Sequence, residues 1–272
     1  MTPEDFPQFL IDDEIKNGAQ YLKDKCGSDL DVLIVLGSGL ADTLAHDPLG
    51  DLIDTFELSD IPGVMKPIAD GHLDQMHLYQ TLDSEGKKLT IAVALGRTHL
   101  YEGHGPDPVT ALAKICYAAG VKTAILCNAN GCLREWELGD VVAIDDHLNF
   151  TGTSPFNGTF FTDISATWDQ EYTEALSKVC QRRGNYAIMR GPEYQTMAET
   201  RFLHGAGVDC VGMSTVMEAL MLHALGVRVC GMSVVSDLSF STQETDPHAV
   251  VEIAARAQQT IRQGIDTILA IQ

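Results

Sequence analysis

The sequence predicts an α/β fold: a single domain with a central mixed β-sheet flanked by helices. Two observations carry this prediction, namely five apolar runs of strand length and five helical patterns that lie between and after them. Continuous apolar runs suit strands covered on both faces, and strands that alternate with helices are typical of α/β proteins. A chain of 272 residues can bury one sizeable core, so residues 1–272 are expected to form one domain.

The elements follow from these patterns in chain order. The predicted strands are Asp31–Leu36, Leu89–Leu95, Thr123–Cys127, Asp140–Ile144 and Arg228–Val235. The predicted helices are Asp107–Ala119, Trp168–Arg183, Met197–Ala206, Thr215–Leu225 and His248–Ile271. Two long segments, Asp60–Gln75 and Phe150–Ser165, carry Pro, Gly, His and aromatic residues without a clear period. Long loops of this kind in a compact domain are commonly functional or mobile.

Composition and charge exclude several classes of partner. The formal net charge of −20 disfavours nucleic acid and acidic membrane surfaces as partners. No apolar stretch approaches the about 18 residues that span a bilayer, and the acidic N-terminus does not resemble a secretory signal. The seven cysteines include no C-x-x-C pair, which favours reduced thiols over a disulfide or zinc framework. We therefore expect a cytoplasmic protein.

The first polar motif, Gly37-Ser38-Gly39, directly follows the first predicted strand. Glycines allow a tight turn, and a serine hydroxyl beside free backbone N–H groups at a helix start favours an anion. The spacing matches neither a Walker P-loop nor a dinucleotide-binding motif. An ordinary structural turn explains the same residues equally well.

A second motif, Gly96–His104, follows the next strand and brings together Arg97, His99, Tyr101 and Glu102. Ligands in α/β sheets bind at the carboxyl ends of strands, and the guanidinium fork suits phosphate. The alternative is a structural ion pair between Arg97 and Glu102. The two histidines of the motif are five residues apart, which does not match the helical spacing of a zinc site, so no metal is expected.

Two further motifs supply small and polar residues. In Cys127–Leu133, small side chains after a strand let a ligand lie against the backbone. Gly191–Thr196 precedes Val211–Thr215, where Ser214 stands at the start of a predicted helix. Ser214 there could bind an anion or serve as an ordinary N-cap.

Together and in this order, the motifs resemble the trimeric purine nucleoside phosphorylases. The similarity covers nearly the whole chain and includes G-S-G-L, G-R-x-H-x-Y-E-G-H, N-A-x-G, G-P-x-Y-x-T-x-A-E and V-G-M-S-T-V-x-E-A. The resemblance implies an enzyme that uses inorganic phosphate to release a purine base and form (deoxy)ribose 1-phosphate. It also implies a homotrimer that needs no metal or organic cofactor and whose partners are a purine nucleoside and phosphate.

The resemblance also implies three groups of site residues. The phosphate group is Ser38, His72, Arg97, His99, the backbone N–H of Ala129, and Ser214. The ribose group is Tyr101, Met213 and His248, and the base group is Tyr194, Gln195, Ser236 and Asp237. His99, Asp237 and His248 are the expected catalytic residues. An aromatic residue of a neighbouring subunit is expected over the ribose, with Phe156, Phe160 and Phe161 as the candidates.

The chain departs from the family pattern at the base site. Gln195 and Asp237 stand where the family typically has Glu and Asn, and we expect a preference for 6-aminopurines such as adenosine. The methylthioadenosine phosphorylases, which take 6-aminopurines, also place Asp at the position of Asp237. The alternative is an inosine or guanosine phosphorylase, because Gln195 could still meet a 6-oxopurine through its carbonyl. Asn130 replaces a small residue, and either contact with the base or a narrower pocket would explain it.

Two other classes of protein remain as rivals. A nucleosidase would use water in place of phosphate, and a nucleoside-binding protein would have no catalytic activity. The complete set of expected phosphate residues argues against both. The sequence leaves the choice among ribose, deoxyribose and 5′-methylthioribose open.

Overall fold

The computed structural model describes residues 10–83, 85–158, 161–241 and 245–272. Within these ranges nine strands form one sheet. They are β1 (Val32–Val35), β2 (Asp51–Phe56), β3 (Met76–Leu82), β4 (Lys88–Ala94), β5 (Thr123–Cys132), β6 (Val141–Asn149), β7 (Arg182–Ile188), β8 (Cys210–Gly212) and β9 (Arg228–Leu238).

The sheet is mixed, as predicted. Its order is β2-β3-β4-β1-β5-β8-β7-β6-β9, and β9 also pairs with β5, so that the second half of the sheet closes on itself. β1 runs parallel to both β4 and β5, whereas β2 and β3 are antiparallel additions at one edge. The carboxyl ends of β1, β4 and β5 carry the first three motifs singled out in the sequence, and the end of β9 carries the expected base residues Ser236 and Asp237.

Helices cover both faces of this sheet. They are α1 (Asp13–Cys26), α2 (Pro106–Ala118), α3 (Gln170–Leu176), α4 (Met197–Gly205), α5 (Val216–Ala224), α6 (Pro247–Ala255) and α7 (Gln258–Leu269). One core layer contains buried residues of α1, α2 and α5, and a second contains those of α3, α6 and α7. The α/β prediction with helices on a mixed sheet is confirmed.

Two predicted helices are wrong in extent. The segment Trp168–Arg183 is helical only over α3, and its last residues begin β7, which pairs with β6 and β8. Sheet pairing there overrides the local helical pattern. The predicted helix His248–Ile271 is two helices, because the chain turns at Arg256 and Ala257 and buries Ala257 in the core.

The sequence patterns did not predict four elements, namely α1, β2, β3 and β8. β2 lies at the edge of the sheet and is mostly exposed, and β8 is only three residues long, so neither has a long apolar run. β5, β6 and β9 also extend past their predicted ends, because most of the added residues are polar or small and do not continue the apolar runs.

The structure also bears on the expectations about the cysteines and about membrane-spanning segments. All seven cysteines are free thiols, and all are buried. In the described part of the chain, no helix combines the length and the apolar character needed to cross a membrane.

Candidate active site

One cavity at the carboxyl ends of β1, β4, β5 and β9 collects most of the predicted site residues. Those that line it are Ser38, His72, His99, Tyr101, Ala129, Tyr194, Gln195, Met213, Ser214, Ser236 and Asp237. Arg97 and His248 are not among the lining residues. Residues separated by as many as about two hundred positions in the chain therefore share one cavity.

The turn after β1 places Ser38 at the cavity wall. A side chain at Gly37 would come within 2.9 Å of the Cys127 carbonyl oxygen, so glycine lets this turn lie against β5. Gly39 has φ of 76°, which glycine adopts without strain. The Ser38 hydroxyl lies 3.1 Å from Nε2 of His72.

Two histidines face each other on this side of the cavity. The rings of His72 and His99 meet edge to face at 5.0 Å, and His99 stacks on Tyr101 at 4.7 Å. Burial lowers the pKa of His72 well below its usual value, and the nearby His99 and Arg97 lower it further. Burial also lowers the pKa of His99, against an opposing effect of Glu102. Both imidazoles are therefore neutral at neutral pH.

Glu102 fixes the tautomer of His99. Its Oε1 accepts the backbone N–H of His99 at 2.7 Å and lies 3.3 Å from the ring Nδ1. A carboxylate only accepts hydrogen bonds, so Nδ1 carries the proton of the neutral ring. The Nε2 atom of His99 is then an acceptor, suited to the P–O–H group of monohydrogen phosphate.

Arg97 lies behind the cavity wall in a buried network. Its Nη1 donates to Thr215 Oγ1 at 2.7 Å and to Glu218 Oε2 at 2.9 Å. Its Nη2 donates to the carbonyl oxygens of Cys127 at 2.5 Å and Val35 at 3.3 Å. The ion-pair alternative was right about the type of contact but wrong about the partner, which is Glu218 and not Glu102.

Ser214 and Thr215 precede α5. Ser214 lines the cavity, whereas Thr215 is the N-cap residue and makes no side-chain cap bond. The N-cap alternative for Ser214 is therefore wrong, because the following residue occupies that position.

Strands β5 and β9 form the floor of the cavity. The Ser236 hydroxyl donates to the backbone oxygen of Asn130 at 3.0 Å. The Asn130 side-chain amide donates to Ser233 Oγ at 2.6 Å, and its Oδ1 is buried with no partner among the described residues. Asn130 thus lines the cavity and belongs to a buried polar network in its floor.

The base side of the cavity centres on Gln195 and Asp237. Gln195 Nε2 donates to Ser239 Oγ at 2.8 Å, and Thr245 Oγ1 donates to Asp237 Oδ1 at 3.1 Å. Burial raises the pKa of Asp237, against an opposing effect of the Thr245 hydrogen bond. A side chain at Gly131 would come within 2.6 Å of Ser239 Oγ, so glycine keeps this part of the cavity open.

His248 stands apart from the rest. It is exposed near the start of α6, where its backbone N–H donates to Asp246 at 2.9 Å. Val250, two residues further on, lines the cavity. Sequence reasoning missed Val250 and Met189, and no motif marks either of them.

The candidate aromatic residues differ in burial. Phe161 is 95% exposed, whereas Phe156 packs against the core. Phe160, the third candidate, lies outside the described residues.

No group of three or more His, Cys, Asp or Glu side chains in the described ranges is arranged to hold a metal ion.

Comparisons with known proteins show which family the chain resembles. Residues 31–270 match the family model described as the phosphorylase superfamily. The purine nucleoside phosphorylase of Mycobacterium tuberculosis (strain ATCC 25618 / H37Rv) is 35% identical over 258 residues, 93% of each chain. Purine nucleoside phosphorylase 1 of Bacillus subtilis (strain 168) is 32% identical over 218 residues, 75% of this chain and 78% of the relative.

A solved structure extends the similarity to the fold. The purine nucleoside phosphorylase of Schistosoma mansoni in complex with adenosine superposes with a TM-score of 0.81 at 25% identity. The match covers 95% of this chain and 97% of that one.

Proposed function

This chain belongs to the phosphorylase superfamily and is an enzyme of the purine nucleoside phosphorylase type, and we propose that it prefers 6-aminopurine nucleosides such as adenosine. The products are the free base and (deoxy)ribose 1-phosphate. The observation that carries the proposal is that one cavity is lined both by Ser38, His72, His99, Ala129 and Ser214 of the phosphate group and by the Gln195 and Asp237 pair. No metal or organic cofactor takes part in this reaction.

On the phosphate side, neutral donors and one acceptor orient the nucleophile. Ser38 and Ser214 donate hydrogen bonds to phosphate oxygens, and His99 Nε2 accepts a hydrogen bond from the P–O–H group of monohydrogen phosphate. Holding phosphate against the anomeric carbon removes much of the entropic cost of the reaction. His72 lies beside Ser38 and closes this side of the cavity.

On the base side, Asp237 supports the leaving purine. The bond breaks through an oxocarbenium-like state that leaves negative charge on the base, and a donor at N7 stabilises that charge. The raised pKa of Asp237 favours the protonated carboxyl that can donate there. Because Oδ1 accepts from Thr245, Oδ2 carries this proton in our mechanism.

The preference for a 6-aminopurine rests on Gln195. A 6-oxopurine presents a proton on N1 and an acceptor at position 6, whereas adenine presents an acceptor at N1 and a donor at position 6. One amide N–H of Gln195 engages Ser239, which leaves a second N–H and the carbonyl for the base. The Schistosoma mansoni relative, solved with adenosine, supports a place for adenine in this fold.

We also propose a homotrimer in the reducing cytoplasm. Phe161 is the candidate to cover the ribose in a neighbouring subunit, because it is exposed while Phe156 is held in the core. Tyr101, Met213 and His248 are the proposed ribose contacts. His248 stands outside the cavity of the isolated chain, so its contact requires α6 to move toward the ligand.

The experiment that tests the proposed reaction is a panel of nucleosides, each incubated with and without inorganic phosphate. We expect base release only with phosphate, with ribose 1-phosphate as the second product. Equal rates without phosphate would make the protein a nucleosidase. Binding without turnover of any nucleoside would leave only a binding function.

A further inference from the structure

Thr215 has an unusual backbone conformation at the phosphate side of the cavity. Its φ of 76° and ψ of −47° lie in a region that β-branched residues rarely adopt, and the residue is 1% exposed. Its side chain does not cap α5. The hydroxyl is therefore held beneath the cavity for contacts other than helix capping.

Two N–H groups converge on this hydroxyl. Arg97 Nη1 donates to Thr215 Oγ1 at 2.7 Å, and Asn128 Nδ2 donates to the same atom at 2.8 Å. A hydroxyl has two acceptor sites and one proton. Because both acceptor sites are occupied, the proton of Thr215 is directed to its remaining partner, Ser214 Oγ, at 3.2 Å.

The far end of the network holds Asn128 in the required orientation. The Ser233 hydroxyl donates to Asn128 Oδ1, and Ser233 in turn accepts from Asn130 Nδ2 at 2.6 Å. In the opposite order Ser214 would donate to Thr215, and the side-chain amides of Asn128 and Asn130 would both be flipped. Ser214 would then present only an acceptor to the cavity. In the proposed site the P–O–H group of monohydrogen phosphate faces His99, so the other phosphate oxygens offer Ser214 only acceptors and favour the order described.

We propose that Thr215 is a positioning residue that fixes the hydroxyl proton of Ser214 toward the cavity and so makes Ser214 a donor to phosphate. Ser214 accepts from Thr215 and donates its own proton to the anion. Arg97 lies behind the cavity wall and bears on Ser214 through Thr215: the four N–H bonds of its two Nη atoms are engaged, and its Nε is buried with no partner among the described residues. The proposal deepens the phosphate site and rests on the proposed function.

Paired variants of Thr215 test this role. Thr215→Val removes the hydroxyl but keeps the branched shape, and Thr215→Ser keeps the hydroxyl. We measure the Kd of inorganic phosphate by calorimetry and the KM values of phosphate and adenosine. Thr215→Val should weaken phosphate binding by about tenfold or more, as expected for a hydrogen bond to a charged group. Thr215→Ser should retain phosphate affinity within about threefold, and the adenosine KM should change less than about twofold in both.

Three results would overturn the proposal: unchanged phosphate affinity in Thr215→Val, an equal loss in both variants, or an equal rise in the KM of adenosine. If Thr215→Val does not fold, Ser233→Ala frees Asn128 and should weaken phosphate binding about threefold or more; no change would then contradict the relay. Wild-type protein that binds phosphate but has no phosphate-dependent turnover would refute the proposed function instead.

Discussion

Gln195 donates its side-chain N–H to the hydroxyl of Ser239 at 2.8 Å, across 44 residues of chain. This contact turns the amide that faces the base side of the cavity. The Ser239 hydroxyl accepts this hydrogen bond and so holds the Gln195 amide in the orientation that suits a 6-aminopurine.

Ser239→Ala should therefore weaken recognition of the base. We expect kcat/KM for adenosine to fall about three- to tenfold, the effect of one lost hydrogen bond, with the KM of phosphate unchanged. Ser239→Thr, which keeps the hydroxyl, is the matched control. Steady-state kinetics with both variants make the test, and an adenosine value in Ser239→Ala equal to that of wild type would contradict the role of Ser239.

The buried ion pair of Arg97 and Glu218 should contribute to the stability of the fold. The two side chains are 2% and 6% exposed, and burial raises the pKa of Glu218. Arg97→Met leaves a buried carboxyl without its partner and should cost about 3–5 kcal/mol in the free energy of unfolding. Urea denaturation measures this cost.

Arg97→Met combined with Glu218→Gln is the control for that experiment. Removing both charges should recover much of the lost stability, because no uncompensated buried charge remains. A double variant as unstable as Arg97→Met would show that the hydrogen bonds of Arg97, and not its charge, hold this region.

The raised pKa of Asp237 predicts a basic limb in the pH profile of turnover. The protonated carboxyl is the donor, so kcat for adenosine should fall as pH rises through the raised pKa. Asp237→Asn donates through an amide that does not titrate, and it should lose this limb. Profiles of kcat against pH for both proteins provide the measurement, and an identical basic limb in Asp237→Asn would assign it to another group.

Phe161→Ala tests the shared ribose site. The substitution should raise the KM of adenosine about tenfold or more through loss of an aromatic cover, while the phosphate Kd changes little. Sedimentation should give a trimer for the wild type. A fully active wild-type monomer, or a Phe161→Ala variant with an unchanged adenosine KM, would contradict the proposed arrangement.

Apolar runs and short motifs in the sequence predicted several strands of the sheet and most residues of the candidate site. Apolar runs predicted β1, β4 and the starts of β5 and β9, and most of the polar site residues expected after them line one cavity, with Arg97 behind its wall. Contacts between distant residues were beyond such patterns. Nothing near Arg97 in the sequence indicates that it pairs with Glu218, 121 residues away, instead of Glu102.

The same limit applies to elements that tertiary pairing creates. β7 forms because β6 and β8 lie on either side of it, although the predicted helix extended into its first two residues, Arg182 and Arg183. Ser239 and Thr245 became part of the base site only through the fold, which brings them to Gln195 and Asp237.

The most direct test of the central claim compares kcat/KM for adenosine and inosine, both with phosphate, in the wild type and in the double variant Gln195→Glu with Asp237→Asn. Mispaired polar groups in a site built for hydrogen bonding can cost a factor of about 10⁴ in specificity. We predict that the wild type favours adenosine and that the double variant favours inosine. A wild type that prefers inosine would contradict the assignment of a 6-aminopurine to this site.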